Sequence, residues 1–351
     1  MIGSSAAWLP ALPPFLVAST VCIAAVPGSI WLARRSRAVA EPDLDRHLHP
    51  QPTPRLGGIA MFAGFAVALA LFGSAIAYRW QTVAVCAAIT LAMALDDVFD
   101  LTWRSKFVIE IGAGVLVALT GILITFIAVP GIHSTTVWQL GLLAAPVTIA
   151  WIVGMQVSVN FLDGADGVAA GVVAIVAGIS LLAAINRVQA PGDVQSGVII
   201  LSGALMGCCI GFLVFNLPPA RVFMGDVALG LPISDTAFAI VRRKRAGRKI
   251  AEPDAGHIHH RLLARGMTPL ETALTFYLAT GILGCIALTI YGHRKIIDAA
   301  LGLLVISLIA IIWRSRRRPQ PALQLEENDE YVIVPGHRAV PTRMRHGGEA
   351  D

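Results

Sequence analysis

The sequence predicts an all-α fold, a polytopic membrane helical bundle of about nine to ten spans, and three observations support this prediction. Hydrophobic residues make up 56% of the 351 residues and charged residues 14%, whereas soluble domains carry about 25% charged residues. The apolar residues are collected in blocks close to the length that crosses a bilayer. Glycine and proline interrupt several blocks, which is typical of membrane helices and disfavours the alternating strands of a membrane barrel.

Nine apolar blocks are long enough to be predicted as membrane spans. A tenth block, 227–241, is short and contains Pro232 and Asp235, so it is marginal for a hydrocarbon core about 30 Å thick. In chain order, the nine predicted spans cover residues 14–33, 57–77, 82–95, 107–129, 137–157, 168–185, 197–215, 272–292 and 296–313.

The basic residues predict how the bundle is oriented. No basic residue precedes the first block, and Arg34, Arg35 and Arg37 follow it, so we expect a retained first span with its N-terminus outside, not a cleaved signal peptide. Segment 34–55 is predicted to be cytoplasmic, because basic residues bias loops toward the cytoplasm. Alternation of the spans then places the acidic polar segments on that same face.

The charge pattern fails after block 227–241. If this block crosses the membrane, the basic runs 242–249 and 314–318 both fall outside, against the positive-inside rule. Two explanations stay open: the block returns to the face from which it came, or a neighbouring span is missing. We expect a segment that does not cross.

The stretch LDDVFDL, residues 95–101, carries three aspartates at the mouth of a predicted span. Asp96 and Asp97 lie four and three residues before Asp100, so a helix would bring all three to one broad face. Such a cluster is tolerable if a cation neutralises it, and Mg²⁺ held by one or two carboxylates plus substrate phosphates is a common arrangement. The alternative is a solvated helix end paired with Arg104 and Lys106.

Three further polar segments are predicted on the same face. In HPQPTPRLGGIAMF, residues 49–62, Gly57 and Gly58 open a helix whose backbone N–H groups could face an anion, and Arg55 would add a bidentate phosphate partner; the alternative is a turn with a positive-inside arginine. NFLDGADG and FNLPPARVFMGD repeat the acidic pattern, so three acidic loops predict a shared cation site. Their polar residues are Asn160, Asp163 and Asp166, then Asn216, Arg221 and Asp226.

The stretch HIHHRL places His257 and His260 three residues apart, with Arg261 adjacent. Zinc would need further ligands, so phosphate oxygens fit this group better. All five cysteines fall inside apolar blocks, where we expect them to act as small hydrophobic residues, without a disulfide framework or a cysteine metal site.

These segments, in this order, resemble the polyprenyl-phosphate N-acetylhexosamine-1-phosphate transferases (glycosyltransferase family 4, similar to undecaprenyl-phosphate N-acetylglucosaminyl-1-phosphate transferase). Enzymes of this family start the synthesis of O-antigen, enterobacterial common antigen and teichoic acid, and the peptidoglycan translocase is a more distant relative. The resemblance covers residues 43–263. It is carried by PTPRLGG, LDDVFDL with Lys106, NFLDGADG, FNLPPARVFMGD and HIHHRL.

The resemblance implies a Mg²⁺-dependent phosphoglycosyl transferase, with Mn²⁺ as the alternative cofactor. It would move a sugar 1-phosphate from a UDP-N-acetylhexosamine to undecaprenyl phosphate, release UMP and initiate lipid-linked cell-envelope glycan synthesis, such as that of lipopolysaccharide. The implied location is the bacterial inner membrane with a cytoplasmic active site. The partners would be the two substrates, membrane lipids and a second copy in a homodimer; no nucleic acid is expected.

The resemblance also implies roles for individual residues. Asp226 would ligate Mg²⁺, and Asp96 and Asp97 would orient or deprotonate the lipid phosphate, with Asp97 as a second metal contact. Arg55 and Lys106 would bind phosphate. A nucleotide-sugar pocket would be shaped by Asn160, Asp163, Asp166 and Asn216, and further phosphate contacts would come from His257, His259, His260 and Arg261.

This sequence departs from the family after FMGD. The family continues there with a whole membrane span and a loop, whereas Asp226 is followed at once by VALGLPISDT. One family span is therefore missing after Asp226, where the charge pattern also fails. A second hypothesis follows, an inactive family member that only binds lipid or a partner. A third, a transporter, is disfavoured because the carboxylates are predicted at one membrane face and not at mid-depth.

The chain divides into two predicted regions. Residues 1–318 would form the membrane transferase domain with its cytoplasmic catalytic loops. Residues 319–351 are polar and mixed in charge, without apolar periodicity, and are expected to be a disordered cytoplasmic tail.

Overall fold

The computed structural model describes residues 8–40, 52–76, 78–99, 101–130, 135–185, 194–225 and 266–290, and a few short stretches outside these ranges (258, 262–263, 304–305, 307–309, 311, 324–325 and 331–332). Long helices dominate the described residues. They are α1 (Leu12–Ser36), α2 (Gly57–Phe72), α3 (Arg79–Phe99), α4 (Trp103–Leu119), α5 (Ala144–Leu162), α6 (Val168–Ile185), α7 (Val194–Asn216) and α8 (Pro269–Ile290).

The remaining described elements are short. Single 3₁₀ turns cover Leu9–Ala11, Gly73–Ala75 and Gly141–Leu143. Three antiparallel strand pairs join β1 (Val39–Ala40) to β2 (Thr53–Pro54), β3 (Phe126–Pro130) to β4 (Thr135–Gln139), and β5 (Gln324–Leu325) to β6 (Tyr331–Val332). The last pair falls in the predicted tail 319–351, the rest of which lies outside the described residues.

Seven of the described helical segments are long and apolar enough to cross a membrane. They confirm the predicted all-α, polytopic membrane fold. Helix α4, with 17 residues, falls just below a full crossing length and packs beside α3 and α5. Block 227–241 and most of the predicted span 296–313 lie outside the described residues.

The predicted span 107–129 is wrong at its C-terminal end. Helix α4 stops at Leu119, and Gly121 follows with φ +83°, a left-handed conformation that ends helices and favours glycine. Residues 126–130 then form β3. The predicted span 137–157 is wrong at its N-terminal end. Residues 137–139 belong to β4, and α5 begins only at Ala144.

The core lies between α1, α2, α6 and α7, with Phe212 and Val168 fully buried in it. Close approach of these helices depends on residues without side-chain bulk. A Cβ on Gly207 of α7 would overlap the carbonyl oxygen of Phe15, and one on Gly64 of α2 would overlap that of Ala18. Small residues of this kind allow helix backbones to pack tightly in lipid, where no hydrophobic effect drives helix association.

Helices α3, α4 and α5 pack in sequence beside this core, with α3 also contacting α2. Ile89 and Met93 of α3 pack with Ala113 of α4, and Gly114 of α4 packs against Ile149 of α5. The bundle therefore has two distinct ends. We call the end at which α3, α5 and α7 end and α4, α6 and α8 begin the polar end; the opposite end, which carries β3 and β4, is the hairpin end.

Candidate active site

The turn between α3 and α4 positions the first carboxylates at the polar end. Asp96 lies in the last turn of α3 with its side chain fully buried, and its Oδ2 forms an ion pair of 2.8 Å with Nζ of Lys106. Its other oxygen, Oδ1, accepts a hydrogen bond of 3.2 Å from the backbone N–H of Leu101. The helix hairpin α3–α4 is therefore closed by a buried, charge-assisted interaction.

This geometry decides part of the question raised by LDDVFDL. The alternative interpretation, a helix end paired with the following cations, applies to Asp96, which is bound to Lys106. The pair is not solvated, however, because Asp96 is only 1% exposed. Lys106 keeps 30% of its side chain exposed. Asp100 lies outside the described residues.

Asp97, the next residue, faces a different neighbour. It is half-buried, and its carboxylate lies against Gly225, in the loop that follows α7. Gly225 has φ +75°, and a Cβ there would overlap both the Asp97 carboxylate and the carbonyl oxygen of Arg55. Only glycine fits this position without strain. Three segments far apart in sequence therefore converge on one point; Asp226, the residue after Gly225, lies outside the described residues.

The start of α2 is held by the loop that follows α7. The N–H of Gly57 donates to the carbonyl of Phe223 at 3.1 Å, and that of Gly58 donates to Met224 at 2.9 Å. In return, the N–H of Phe223 donates to the carbonyl of Pro54 at 2.8 Å. The prediction that the N–H groups of Gly57 and Gly58 face an anion is therefore wrong, because both are engaged by backbone carbonyls.

Arg55 stands between these hydrogen bonds. Its backbone N–H donates to Ala38 at 3.0 Å, which continues the β1–β2 pair, and its side chain is half-buried. The backbone is thus fixed on both sides of the residue, while part of the guanidinium-bearing side chain stays open to solvent. This placement is compatible with a phosphate partner.

Asn216 and Asp166 tie the loop 163–167 to the loop that follows α7. The Oδ1 of Asn216 accepts from the N–H of Gly167 at 3.1 Å, and its Nδ2 donates to the carbonyl of Val222 at 2.8 Å. The Oδ2 of Asp166 accepts from the N–H of Ala220 at 3.0 Å. Asn216 is 2% exposed and Asp166 is 7% exposed, so both side chains are engaged inside the protein and shape the site from behind.

Two other polar residues of the NFLDGADG segment face outward. Asn160, in the last turn of α5, is exposed, and Asp163, which follows the end of α5, is half-exposed. Both are more exposed than Asp166 of the same segment, which is 7% exposed. His257, His259, His260 and Arg261 lie outside the described residues.

The donor atoms near Asp97 suit a hard divalent cation. Its carboxylate and the carbonyl oxygen of Arg55 both lie at the position that a Cβ on Gly225 would occupy, and oxygen ligands are those that Mg²⁺ prefers. Within the described ranges, no group of three histidine, cysteine, aspartate or glutamate side chains is close enough to hold a metal ion. The five thiols are free.

The sequence interpretation missed three polar residues of α4, α5 and α8. The hydroxyl of Tyr277, on α8, donates to the carbonyl of Gly167, so α8 also supports the loop 163–167. Glu110 on α4 and Gln156 on α5 are 6% and 5% exposed. Each of these is a lone polar residue inside an apolar run, which is the signal that could have identified them.

The comparisons with known proteins agree with this arrangement. A family model described as Glycosyl transferase family 4 matches residues 79–234. A probable undecaprenyl-phosphate N-acetylglucosaminyl 1-phosphate transferase of Bacillus subtilis is 32% identical over 296 residues, covering 75% of this chain and 80% of the relative. A decaprenyl-phosphate N-acetylglucosaminephosphotransferase of Mycobacterium tuberculosis is 30% identical over 344 residues, covering 82% and 84%.

A more distant relationship connects the chain to a phospho-N-acetylmuramoyl-pentapeptide-transferase of Streptococcus equi subsp. zooepidemicus. The identity is 31% over 250 residues, covering 64% of this chain and 71% of the relative. The alignments with the Bacillus and Mycobacterium relatives contain 296 and 344 positions, but they cover only 75% and 82% of the 351 residues of this chain. They therefore include positions of the relatives that have no counterpart here.

Proposed function

Because the chain belongs to glycosyltransferase family 4, the polyprenyl-phosphate N-acetylhexosamine-1-phosphate transferases, we propose that it transfers a sugar 1-phosphate from a UDP-N-acetylhexosamine to undecaprenyl phosphate. UMP leaves, and a lipid-linked diphosphate sugar remains in the membrane. The main observation in support of this proposal is the contact of the Asp97 carboxylate with Gly225. It joins the acidic end of α3 to the segment that ends in Asp226, as a site for two phosphorylated substrates requires.

Asp97 and Asp226 are the proposed ligands of Mg²⁺, with Mn²⁺ as the alternative. The carboxylate of Asp97 beside a backbone carbonyl is an oxygen-donor set of the kind that these ions accept. When bound, the ion supplies positive charge that neutralises the diphosphate oxygens and the leaving UMP.

The proposed reaction is a phosphoryl transfer by positioning. One oxygen of the lipid phosphate attacks the sugar-bearing phosphorus of the donor, and the bond from that phosphorus to the bridging oxygen breaks, so that UMP departs with this oxygen. A lipid phosphate is already largely ionised near neutral pH, so no strong base is needed. Asp97 therefore orients reactants rather than abstracting a proton.

Asp96 and Lys106 act as a unit in this proposal. The buried Asp96 holds the Lys106 ammonium in place at 2.8 Å, and this ammonium is proposed to bind a phosphate oxygen of the acceptor. Because Asp96 is engaged by Lys106 and by the N–H of Leu101, it is a positioning residue. A preorganised cation at this point stabilises charge that develops during transfer.

The donor is proposed to bind at the outward-facing edge of the loop 163–167. Asn160 and Asp163 contact the nucleotide sugar, whereas Asp166 and Asn216 hold the loop from behind through backbone hydrogen bonds. Phosphate contacts come from Arg55, His257, His259, His260 and Arg261.

The polar end is proposed to face the cytoplasm of a bacterial inner membrane, in keeping with the basic segment 34–55. The lipid-linked product would start the synthesis of a cell-envelope glycan.

A second candidate function rests on the short junction after Asp226. An inactive family member would keep the packed polar end but lack the segment that completes it, and would bind lipid or a partner without turnover. The observation that favours this candidate is the presence of positions in the relatives without counterparts in this chain.

Membranes containing the protein should be incubated with radiolabelled UDP-N-acetylglucosamine, undecaprenyl phosphate and Mg²⁺. We expect a labelled lipid-extractable product and an equal amount of UMP, and Asp97→Asn should lower the rate about 10²- to 10³-fold, the usual loss when one electrostatic contact to a transition state is removed. Chelation of divalent cations should abolish the product.

Gln139→Ala is the matched control, because Gln139 is an exposed polar residue at the hairpin end. It should leave the rate unchanged. Folded protein that binds undecaprenyl phosphate but forms neither labelled lipid nor UMP would establish the inactive alternative. Full activity of Asp97→Asn would contradict the proposed site.

A further inference from the structure

The connection between α4 and α5 carries no charge. No aspartate, glutamate, lysine or arginine occurs between Glu110 and Asp163, a stretch that includes the whole hairpin end of these two helices. Connections that run through water are normally polar. This connection therefore has the composition of a segment in contact with lipid, although part of it is neither helical nor long enough to span.

The hairpin formed by β3 and β4 exposes an apolar face. Ile127 pairs with Trp138 across the strands, and these side chains are 42% and 63% exposed. Neighbouring strand residues point to opposite faces, so the pair Phe126 and Gln139 occupies the other face, where Phe126 is 51% exposed beside the polar Gln139. Exposed leucines flank the hairpin in sequence: Leu119 ends α4, and Leu142 and Leu143 directly precede α5.

The base of the hairpin is fixed to α5. The N–H of Ile124 donates to Oγ1 of Thr148 at 2.8 Å, and this hydroxyl donates in turn to the carbonyl of Ala144 at 2.7 Å. The N–H of Leu140 donates to the carbonyl of Thr125 at 2.9 Å. Thr148 is 3% exposed. The hairpin base is thus tied to α5, which fixes where the hairpin begins relative to the membrane helices.

Two physical constraints define the depth of the hairpin. An antiparallel pair of strands leaves N–H and C=O groups on both outer edges, and these need water or headgroup partners that the hydrocarbon core lacks. Full immersion in water would instead leave Ile127, Trp138 and the adjoining leucines uncovered. The headgroup layer satisfies both constraints, and tryptophan is enriched there.

We propose that the β3–β4 hairpin binds phospholipid in the headgroup layer at the hairpin end, with Ile127 and Trp138 turned toward the acyl chains and Gln139 toward water. Phospholipid is favoured over a second copy of the chain because the hairpin is flanked in sequence by exposed leucines where α4 ends and just before α5 begins, and because no charged residue stands between Glu110 and Asp163. Since the connection is uncharged, binding does not depend on anionic headgroups, unlike binding by basic segments. The inference does not rest on the proposed transferase function.

The test uses single labelled cysteines in a full chain whose five native cysteines are replaced by alanine. Trp138→Cys and Ile127→Cys place an environment-sensitive fluorophore on the apolar face, and Gln139→Cys places it on the opposite face as the matched control. The labelled proteins are reconstituted into phosphatidylcholine vesicles, with or without phosphatidylglycerol. We expect blue-shifted emission at 127 and 138, strong quenching by a nitroxide near the top of the acyl chain, and little quenching by aqueous iodide; position 139 should show the reverse.

The result should be the same with and without phosphatidylglycerol. Equal iodide quenching at 138 and 139 would overturn the proposal, as would a probe at 138 that is shielded from both iodide and lipid nitroxide, because a protein surface such as a second copy would then cover the face. A measurement without cysteine replacement is the quenching of intrinsic fluorescence by brominated lipids. Trp138→Phe should remove a quenchable component from the emission of the seven tryptophans; an unchanged quenched fraction would also overturn the proposal.

Discussion

The polar end and the hairpin end are built on opposite chemical principles. At the polar end, buried side chains bind the backbone of segments distant in sequence, as Asn216 does with Gly167 and Asp166 with Ala220, and a buried ion pair closes the turn between α3 and α4. At the hairpin end, the connection from α4 to α5 has no charged residue and leaves Trp138 and Leu142 exposed.

The difference shows which end of the bundle is preorganised. A loop that only connects two membrane helices needs hydrogen-bond partners for its backbone N–H and C=O groups and must keep its apolar side chains out of water, and the hairpin meets both needs. Loops that position phosphates must hold charged groups in fixed places before substrate arrives, because an ion pair or a cation is effective only when it needs no rearrangement. Substitutions should therefore have their largest effects at the polar end.

Loss of the Lys106 ammonium should be the most damaging change to stability. Lys106→Met would leave the Asp96 carboxylate, with a side chain that is 0% exposed, without its cation, and breaking such a buried pair typically costs about 3 to 5 kcal/mol. We expect a large drop in the thermal unfolding midpoint in lipid–detergent micelles, together with loss of transferase activity.

The double variant Asp96→Asn with Lys106→Met is the control for this prediction. It removes both charges and retains a side-chain oxygen that can accept from the N–H of Leu101, so much of the stability should return while activity does not. A Lys106→Met protein as stable as the natural chain would show that the ion pair does not hold α3 to α4.

Gly225→Ala should damage the convergence point directly. Its φ of +75° disfavours alanine by about 1 to 2 kcal/mol, and the added Cβ would overlap the Asp97 carboxylate and the Arg55 carbonyl. We expect loss of most activity in the radiolabelled transfer assay, accompanied by a modest loss of stability.

Gly28→Ala provides the comparison, because a Cβ on this glycine of α1 meets nothing within 4 Å. Alanine is favoured over glycine inside a helix, so this variant should be fully active and slightly more stable. If both glycine variants behaved alike, the close approach of Asp97 to Gly225 would not matter for function.

Much of the architecture could be predicted from the sequence, because a bilayer imposes a length on apolar blocks. The predicted span 168–185 coincides with α6, and 197–215 falls within α7. Prediction failed where an apolar run does not continue as a helix. Residues 120–129 are as apolar as a span, but Gly121 ends α4 and the β-branched residues around 124–129 pair as a strand, a choice that depends on long-range pairing.

The residue types of the candidate site could be predicted from the sequence, but the partner of each side chain could not. Asp96 and Asp97 are adjacent in sequence, yet one is buried against Lys106 and the other faces Gly225. No local pattern distinguishes them, because the difference depends on which side of α3 faces α4. An anion was one of two alternatives for the N–H groups of Gly57 and Gly58, which instead meet Phe223 and Met224, partners more than a hundred residues away.

Asn216→Ala should have an intermediate effect on the polar end. It removes the acceptor for the N–H of Gly167 and the donor to Val222, and leaving buried backbone groups unsatisfied costs about 1 to 3 kcal/mol. We expect a lower unfolding midpoint and a weakened donor site, seen as a higher apparent KM for UDP-N-acetylglucosamine.

Asn160→Ala separates binding from stability in the same segment. Asn160 is exposed whereas Asn216 is 2% exposed, so its replacement should lower the free energy of unfolding less than Asn216→Ala does, while the proposed contact to the donor predicts a higher apparent KM. An unchanged KM for Asn160→Ala would remove this residue from the donor site.

Thr148→Val should have the smallest effect on catalysis, because it acts only at the hairpin end. The valine cannot accept from the N–H of Ile124, which should cost about 1 kcal/mol and loosen the hairpin, so that a probe at position 138 becomes more accessible to aqueous iodide. Thr82→Val is the matched control, since the Thr82 hydroxyl donates to the carbonyl of Tyr78, four residues earlier and just before α3 begins, and not to the hairpin. If Thr148→Val lowered transferase activity as much as Gly225→Ala, the two ends could not be independent, and the hairpin would have to be counted among the elements that position the site.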